Sequence, residues 1–552
     1  MRFKMISFAV GLCGLAALGA LLPSQDAEPV TPALIAAAEK IIGLQFNQAE
    51  RDSMLGDLQE NLENYEKIRS VPLPNSVPPA LAFNPVPVGM TFDTQRRPPV
   101  WSTPARIAAP ANLDELAYAS IGALAELLRT RKVTSTQLTQ MYLSRLKKYG
   151  PQLECVITLT EELALAQARR ADAEIAAGKY RGPLHGMPYG AKDLLAAKGY
   201  KTTWGSVPFK DQVIDEDATV IKKLEAAGAV LVAKLTLGEL AWGEVWFGGK
   251  TRNPWNLEQG SSGSSAGSAA ATAAGLVAFA IGTETWGSIV SPATRCGVTG
   301  LRPSYGRVSR AGAMALSWSM DKIGPMCRTV EDCALVFNAI YGPDGVDQTL
   351  VDLPFNYNPK VDLSKLRIGY HKNGFEKDST NRATNEATLA KLRGLGAQLI
   401  PLELPDLPFE ALTIILSAEA AAAFDELTRS GKDDLLVRQI KNAWPNAFRS
   451  ARFIPAVEYI QANRVRHLVI QAMAEMMKNI DVYVAPSFDG NLLLTNLTGH
   501  PCVTLPNGFN GKGSPTSITF MGNLYGEAVT LAVARAYQEA TDFHKKHPPL
   551  FP

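Results

Sequence analysis

A stretch of small residues near the middle of the chain, residues 260–274, constrains its fold most strongly. Every position in it is glycine, serine, alanine or threonine. Side chains this small allow two backbones to approach closely, and the alanines after Ser268 favour a helix. We therefore predict a tightly packed loop over residues 260–268 and a buried helix behind it.

Three interpretations of this stretch are open from its residues alone. A glycine-rich loop before a helix can bind a phosphate, but the Gly-Lys-Ser/Thr ending of a P-loop is missing. Residues 263–267 also fit G-x-S-x-G, in which Ser265 would be the nucleophile. A flexible linker is the third interpretation, and the small apolar helix that follows argues against it. The histidines available to the second interpretation are His371, His467, His500, His544 and His547.

Composition excludes several classes of protein. Of the 552 residues, 46% are hydrophobic and 20% are charged, with a mean hydropathy of -0.02. These values are typical of a globular chain and exclude a largely disordered or polytopic membrane protein. A formal net charge of +2 provides no field that would gather nucleic acid. Six cysteines without C-x-x-C spacing indicate no zinc site, so we expect no metal, no cofactor and no nucleic-acid partner.

The N-terminus differs from the rest of the chain. Arg2 and Lys4 precede an apolar run from Met5 to Leu22, which is the arrangement of a secretory signal peptide. We predict a signal peptide over residues 1–27 and an exported protein without membrane attachment after cleavage. An uncleaved anchor is the alternative, because about 18 apolar residues are close to the minimum for a bilayer span.

Three further regions follow the signal. Apolar residues at intervals of three and four predict a helical extension over residues 28–70. Prolines interrupt residues 71–112, which predicts an extended linker or surface wrap. Over residues 113–548, helical patterns alternate with short apolar runs such as 229–232. That alternation predicts one large α/β domain with a central sheet flanked by helices.

Several motifs of this domain together resemble the amidase signature family of serine hydrolases. The resemblance covers roughly residues 113–545 and implies a single catalytic domain with a mixed central sheet. The motifs are 182–188 (GPLHGMP), 191–193 (AKD), 253–256 (NPWN), 263–270 (GSSAGSAA), 282–289 (GTETWGSI), 296–303 (CGVTGLRP), 324–326 (GPM), 328–332 (RTVED) and 496–501 (NLTGHP).

The resemblance implies a catalytic triad without histidine. Lys192 corresponds to the catalytic lysine, Ser264 to a serine that follows a cis peptide bond, and Ser288 to the nucleophile. A hydroxyl attacks an amide only when a base takes its proton, and lysine is a base only when neutral. Its pKa of about 10.4 falls when it is buried without a carboxylate partner. Ser264 would relay the proton from Ser288 to Lys192, and Ser265 would support them by a hydrogen bond or merely cap the loop.

The same resemblance assigns an oxyanion hole to backbone N–H groups, which stabilise a tetrahedral intermediate. The sequence departs from the family pattern at two nearby positions. The family more often has aspartate where this chain has Glu284, and glycine where it has Trp286. The residues that would supply the N–H groups are Thr285, Trp286, Gly287 and Ser288.

Trp286 and Val290 are the predicted substrate-binding residues. Many members of the family have arginine two residues after the nucleophile, where a guanidinium can hold an anionic group. This chain has Val290 there, with Trp242 and Trp246 upstream. We therefore expect an apolar acyl pocket and a small, neutral amide substrate, with Arg295 as the alternative source of positive charge.

The sequence thus predicts an amidase that hydrolyses a carbon–nitrogen bond of a linear amide through an acyl-enzyme on Ser288. Its partner would be a small-molecule substrate, and a homodimer is compatible with the helical extension. One alternative is the glutamine-amidase subunit of a tRNA-dependent amidotransferase, which belongs to the same family. Predicted export argues against it, because charged tRNA is cytoplasmic. The other alternative is a non-catalytic binding protein with this fold, against which Lys192, Ser264 and Ser288 together argue.

Overall fold

The computed structural model describes residues 29–103 and 107–552. The predicted signal peptide, residues 1–27, lies outside the described residues. The chain divides into two compact units, and the boundary between them falls after Pro72.

The N-terminal unit contains two helices, α1 (Pro32–Ile42) and α2 (Gln48–Arg69). Both lie within residues 28–70, where the apolar periodicity predicts a helical extension. They are joined by an ion pair of 2.8 Å between Arg51 Nε and Glu39 Oε1. No residue of α2 is buried, so its stability depends on local interactions and on this pair.

In the larger unit, the proline-rich segment up to residue 103 lies in extended form against the domain. Asn75 exchanges two hydrogen bonds with the backbone of Ala315, of 2.8 and 2.6 Å. Further along, the N–H of Val100 donates to the carbonyl of Tyr357 at 2.8 Å. These contacts describe a surface wrap rather than a free linker.

The described strands in the rest of the larger unit form one large mixed sheet and two small ladders. They are β1 (Val156–Leu159), β2 (Pro188–Lys192), β3 (Val230–Leu235), β4 (Val245–Trp246), β5 (Gly249–Lys250), β6 (Arg252–Asn253), β7 (Asn256–Gly260), β8 (Phe279–Glu284), β9 (Thr299–Arg302), β10 (Lys322–Cys327), β11 (Ile368–His371), β12 (Leu399–Leu402), β13 (Val482–Pro486), β14 (Cys502–Phe509) and β15 (Pro515–Gly522). Within the described residues, eleven of them form one sheet in the order β1-β3-β2-β8-β10-β9-β14-β15-β13-β11-β12, and β4 to β7 form two small ladders. Strand β2 is parallel to both of its neighbours, whereas β10 is antiparallel to β8.

Helices flank this sheet. They are α3 (Ile121–Arg129), α4 (Ser135–Leu153), α5 (Glu161–Ala176), α6 (Thr219–Ala226), α7 (Ala266–Ala273), α8 (Val290–Cys296), α9 (Val330–Ile340), α10 (Lys372–Lys377), α11 (Arg382–Gly394), α12 (Thr413–Ala423), α13 (Asp425–Arg429), α14 (Trp444–Ala451), α15 (Ala456–Met477), α16 (Gly490–Leu497) and α17 (Glu527–Glu539). The predicted α/β class with a mixed central sheet is confirmed. None of the described helices is long and apolar enough to cross a membrane.

The small-residue stretch forms a tight loop and the buried helix α7, which begins at Ala266, within the residues predicted as loop. Every residue of α7 is buried. A Cβ added to Gly267 would lie 2.5 Å from the carbonyl oxygen of Cys155 and 2.5 Å from the N atom of Thr236. Small side chains are therefore required here because the helix lies directly on the backbone of neighbouring segments.

Candidate active site

Lys192 is the last residue of the central strand β2, and its side chain is fully buried. Its Nζ lies 2.8 Å from Ser264 Oγ and 2.8 Å from Thr283 Oγ1. Ser265 Oγ is 3.2 Å away, and the carbonyl oxygen of Thr283 is 3.5 Å away. Its described hydrogen-bond partners are thus three hydroxyls and one carbonyl, and none of them is a carboxylate.

These surroundings favour the uncharged form of the lysine. Burial lowers the pKa of Lys192 well below its ordinary value, because the ammonium group would lose its hydration in the interior. The more distant carboxylates of Asp321 and Glu284 raise the pKa, but by less than burial lowers it. A neutral amine beside a hydroxyl can accept a proton, as a general base must.

Ser264 stands in the small-residue loop before α7. The peptide bond between Gly263 and Ser264 is cis, as the family resemblance implies. A Cβ on Gly263 would lie 1.8 Å from the carbonyl oxygen of Gly243, so this position admits no larger residue. The loop thereby brings Ser264 against Lys192, which lies 72 residues earlier in the chain.

Ser265 is fully buried, and its hydroxyl contacts both Lys192 and Thr283. It donates to the carbonyl of Thr283 at 3.0 Å and accepts the N–H of the same residue at 3.1 Å. The N–H of Ser265 donates to the carbonyl of Ser288 at 3.1 Å, and its side chain makes no capping hydrogen bond to α7. A hydroxyl enclosed in this way cannot reach a substrate. This placement favours a supporting role for Ser265 over the nucleophile-elbow interpretation.

Ser288 lies in the turn between β8 and α8 and is half-buried. Within the part of the chain that the structure describes, no hydrogen bond engages its hydroxyl. The N–H groups of Trp286, Gly287 and Ser288 are also unpaired among the described residues. Gly287 has a φ of +83°, a conformation that favours glycine. The turn therefore combines an available hydroxyl with available N–H donors, the combination that acyl transfer requires.

Glu284 has a role that its sequence position did not reveal. Its buried carboxylate accepts the N–H groups of Ile289 and Val290 at 2.8 and 2.9 Å, directly after the predicted nucleophile. It also accepts hydrogen bonds from the side chains of Arg302 and Asn496, each at 2.8 Å. Burial alone would raise the pKa of Glu284, but the charge and hydrogen bond of Arg302, together with the hydrogen bonds from Val290 and Asn496, bring it down to about 2.

The two predicted substrate-binding residues are placed differently. Trp286 is 45% exposed beside the predicted nucleophile, whereas Val290 has no exposed surface and packs in a core cluster with residues such as Met320. The prediction that Val290 lines an accessible pocket is therefore corrected, because its side chain points into the core of the domain. Trp242 packs edge-on against Trp444, with ring centroids 4.7 Å apart.

A cleft of about 1030 Å³ lies beside α8, and its lining does not include Lys192, Ser264, Trp286 or Ser288. One wall is the exposed side of α8, where the Ser291 N–H donates to the carbonyl of Gly287 at 2.8 Å and Ser291 Oγ lies 2.7 Å from Ser262 Oγ. The lining of this cleft is mostly polar, and it is a different surface from the apolar pocket predicted at Trp286 and Val290. Its lining includes Ser291, Arg295, His371, Glu403, Phe488, Asp489 and Lys512, with His371 Nδ1 lying 2.6 Å from Asp489 Oδ2.

Comparison with known proteins identifies the class and then the family. A family model described as Amidase matches residues 137–531. Together with the fold, this match defines an enzyme that acts on carbon–nitrogen bonds. The chain belongs to the amidase signature family, as its motifs predict.

Individual relatives cover most of the chain. It is 36% identical over 486 residues to a glutamyl-tRNA(Gln) amidotransferase subunit from Acinetobacter baumannii strain AYE, and the match spans 79% of this chain and 98% of the relative. Among solved structures, the native peptide amidase from Stenotrophomonas maltophilia has a TM-score of 0.71 and 30% identity, covering 79% of this chain and 99% of that one. An amidase family protein from Bacillus anthracis has a TM-score of 0.70 and 27% identity, covering 79% and 93%.

The structure also places beside these segments residues that the motifs do not single out. Thr283, which contacts Lys192, lies inside the 282–289 motif and could have been selected there. Asp321 lies shortly before the 324–326 motif, and no local pattern marks it as a neighbour of the turn. The described residues contain no group of three or more His, Cys, Asp or Glu residues suited to a metal ion.

Proposed function

We propose that this protein is an amidase that hydrolyses a small linear amide through an acyl-enzyme on Ser288. The observation that carries the proposal is the surroundings of Lys192, a fully buried lysine held by hydroxyls and lacking a carboxylate partner. Such a lysine can act as a base near neutral pH, which an exposed or ion-paired lysine cannot do. The half-buried hydroxyl of Ser288 and the unpaired N–H groups around it support the same reaction.

The proposed reaction begins when Ser288 Oγ bonds to the amide carbonyl carbon. Its proton passes to Ser264 while Ser264 gives its own to the neutral amine of Lys192. The N–H groups of Trp286, Gly287 and Ser288 stabilise the negative oxygen of the tetrahedral intermediate. The carbon–nitrogen bond then breaks, and the leaving amine takes the proton back from Lys192 through Ser264. Water, activated by the same relay, attacks the acyl-enzyme and releases the acid.

The substrate would have a neutral or apolar group beside the scissile bond and a polar part further away. The exposed indole of Trp286 supports the first feature, and the polar lining of the cleft beside α8 supports the second. Since Val290 is in the core, the absence of arginine at that position no longer contributes to this expectation. Comparing kcat/KM for a neutral aryl amide and its carboxylate-bearing analogue tests it. A preference of about tenfold or more for the acid would contradict an apolar site.

Labelling with a fluorophosphonate tests the proposed nucleophile. We expect the reagent to modify Ser288 in the wild-type protein and to modify no residue in Ser288→Ala, which should remain folded. Ser364→Ala provides a matched serine control, because that residue lies at the surface before β11 and outside the site; it should be labelled like wild type. Modification at Ser265 would instead support the nucleophile-elbow interpretation. If the protein is not labelled and hydrolyses no amide, these results would support a non-catalytic binding protein.

A second candidate function is the glutamine-amidase subunit of a tRNA-dependent amidotransferase. The identity of 36% over nearly the whole of a glutamyl-tRNA(Gln) amidotransferase subunit favours it. The two functions differ in their need for partners. A free amidase should purify without partner subunits, and it should hydrolyse simple amides at full rate in their absence. An amidotransferase subunit would hydrolyse glutamine efficiently only with its partner subunits and charged tRNA.

Export is part of the proposal and is supported by Arg2, Lys4 and the apolar run that follows them. Intact mass of the protein from its native host should show a mature N-terminus between residues 21 and 28. Retention of residue 1 in a membrane fraction would support an anchor instead. An unprocessed form in the cytoplasm would contradict export and favour the amidotransferase function.

A further inference from the structure

The turn from Thr285 to Ser288 requires an external support. The carbonyls of Gly287 and Ser288 accept the N–H groups of Ser291 and Ser265 at 2.8 and 3.1 Å. The N–H groups of Trp286, Gly287 and Ser288 are unpaired in the described chain, so they contribute nothing to holding the turn in shape. An oxyanion hole works only when its donors are positioned to within about 0.5 Å. Side chains that hold the two ends of the turn would therefore control how well it binds a negative oxygen.

The first end of the turn is held by Asp321. Its Oδ1 accepts the hydroxyl of Thr285 at 2.5 Å. Its Oδ2 accepts the N–H groups of Leu316 and Ser317 at 2.8 and 2.9 Å. Asp321 directly precedes β10, whose residue Lys322 pairs with Glu284 of β8. The carboxylate is therefore fixed to the sheet on which the turn is built.

The second end is held by Glu284. One carboxylate oxygen accepts hydrogen bonds from the N–H groups of Ile289 and Val290. The other accepts hydrogen bonds from the side chains of Arg302 and Asn496. Four donors fix this buried side chain, so it cannot turn away without leaving several of them unpaired. Movement of Glu284 would release the chain immediately after Ser288.

We infer that Asp321 and Glu284 are positioning residues that clamp the turn at Thr285 and at residues 289–290, so that its N–H groups stay directed at the developing oxyanion. In this arrangement both carboxylates would act through the turn and not on the substrate itself. The inference rests on the proposed amidase function, in which the turn is the oxyanion hole. It assigns these two acids a role in positioning the turn, in addition to their effect on the pKa of Lys192.

Thr285 offers the cleanest test, because valine has nearly the same shape and lacks only the hydroxyl. The measured quantity is the rate constant for modification of Ser288 by a fluorophosphonate, whose phosphoryl oxygen becomes negative as the bond forms. We expect Thr285→Val to slow this reaction about tenfold to a hundredfold, the size of effect that a displacement near 1 Å produces. Thr285→Ser keeps the hydroxyl and should restore the rate to within about threefold of wild type.

Two further variants separate positioning from general destabilisation. Glu284→Asp shortens the side chain by one methylene and should slow labelling, since the carboxylate then falls short of the N–H groups it accepts. Asp332→Asn is the matched control, because Asp332 is also a buried acid that accepts a backbone N–H, that of Ile121 at 2.9 Å, away from the turn. It should lose stability without slowing the labelling of the folded protein.

The outcomes distinguish this inference from the proposed function. If wild type is neither labelled at Ser288 nor active on amides, the proposed function fails. If wild type is labelled but Thr285→Val, Thr285→Ser and Glu284→Asp all react at its rate while folded, the clamp is wrong. Equal slowing by Thr285→Val and Thr285→Ser would also overturn it, because the hydroxyl would then not be the group that matters.

Discussion

Two fully buried lysines on neighbouring strands, Lys192 of β2 and Lys234 of β3, differ in their partners. Lys234 Nζ lies 2.7 Å from Asp193 Oδ1, forming a buried ion pair. Lys192 Nζ lies among the hydroxyls of Ser264, Ser265 and Thr283. Hydroxyls can share a proton with an amine but cannot balance a full positive charge. Equal burial thus produces a structural ion pair at one lysine and a candidate base at the other.

The largest expected effect is on catalysis by Lys192→Met. We expect kcat/KM on an aryl amide to fall by more than about a thousandfold, because no other group can take the proton from Ser264. The melting temperature should not fall by more than a few degrees, since the variant removes a buried amine and leaves no unpaired charge. Residual activity within tenfold of wild type in this folded variant would show that Lys192 is not the base.

Lys234→Met should act mainly on stability. It leaves the carboxylate of Asp193 buried and without its cation, which typically costs about 3–5 kcal/mol. Denaturant unfolding of the variant measures this cost. The double variant with Asp193→Asn should recover most of the loss, because the unpaired charge is then gone. If Lys234→Met is as stable as Lys192→Met, the proposed difference between the two lysines does not exist.

The pH dependence of the rate should reflect Lys192. Because the neutral amine is the active form, the rate should rise with pH through the lowered pKa of Lys192 and then level off. Below that pKa the rate should fall about tenfold per pH unit, as for one ionisation. His185→Gln is the control: the Nε2 of His185 lies 3.0 Å from Glu174, and His185 is not among the groups that shift the pKa of Lys192. The assignment would be contradicted if the midpoint of the pH profile moved in His185→Gln but stayed unchanged in the residual activity of Lys192→Arg.

The smallest effect is expected from Ser265→Ala. The variant removes one hydroxyl from beside Lys192 and leaves Ser264 and Thr283 in place. A loss of about tenfold in kcat/KM is expected, corresponding to the one hydrogen bond that joins Ser265 Oγ to Lys192 Nζ; the two hydrogen bonds to Thr283 act mainly on stability. Steady-state kinetics at the pH of maximal activity measure it. A loss as large as that of Lys192→Met would mean that Ser265, and not Ser264, is the relay.

Much of the site could be predicted because its segments carry their own local requirements. The helix α7 and the loop before it can be built only from small residues, as the Cβ contacts at Gly263 and Gly267 show. Resemblance of the motifs to a family then selected Lys192, Ser264 and Ser288, and the structure brings Lys192 and Ser264 into contact. The signal peptide and the homodimer stay predictions.

Other features could not be predicted because they depend on residues far apart in the chain. In the sequence Glu284 is only a departure from the family pattern, yet in the fold its carboxylate is held by Arg302 and by Asn496, which lies 212 residues away. Val290 was expected in the pocket, but the direction of a side chain on α8 is set by how that helix packs on the domain. The polarity of the cleft likewise results from loops that only the fold assembles.

The sequence by itself determined the α/β alternation, the small-residue loop and helix, and the residue types available for amide chemistry. These follow from local geometry, since backbone conformation and side-chain size act over a few residues. Only the tertiary structure decided which of two buried lysines has a carboxylate partner and which does not. Desolvation and charge pairing depend on neighbours from other strands and loops, so the protonation of Lys192 is a property of the folded chain and not of its motif.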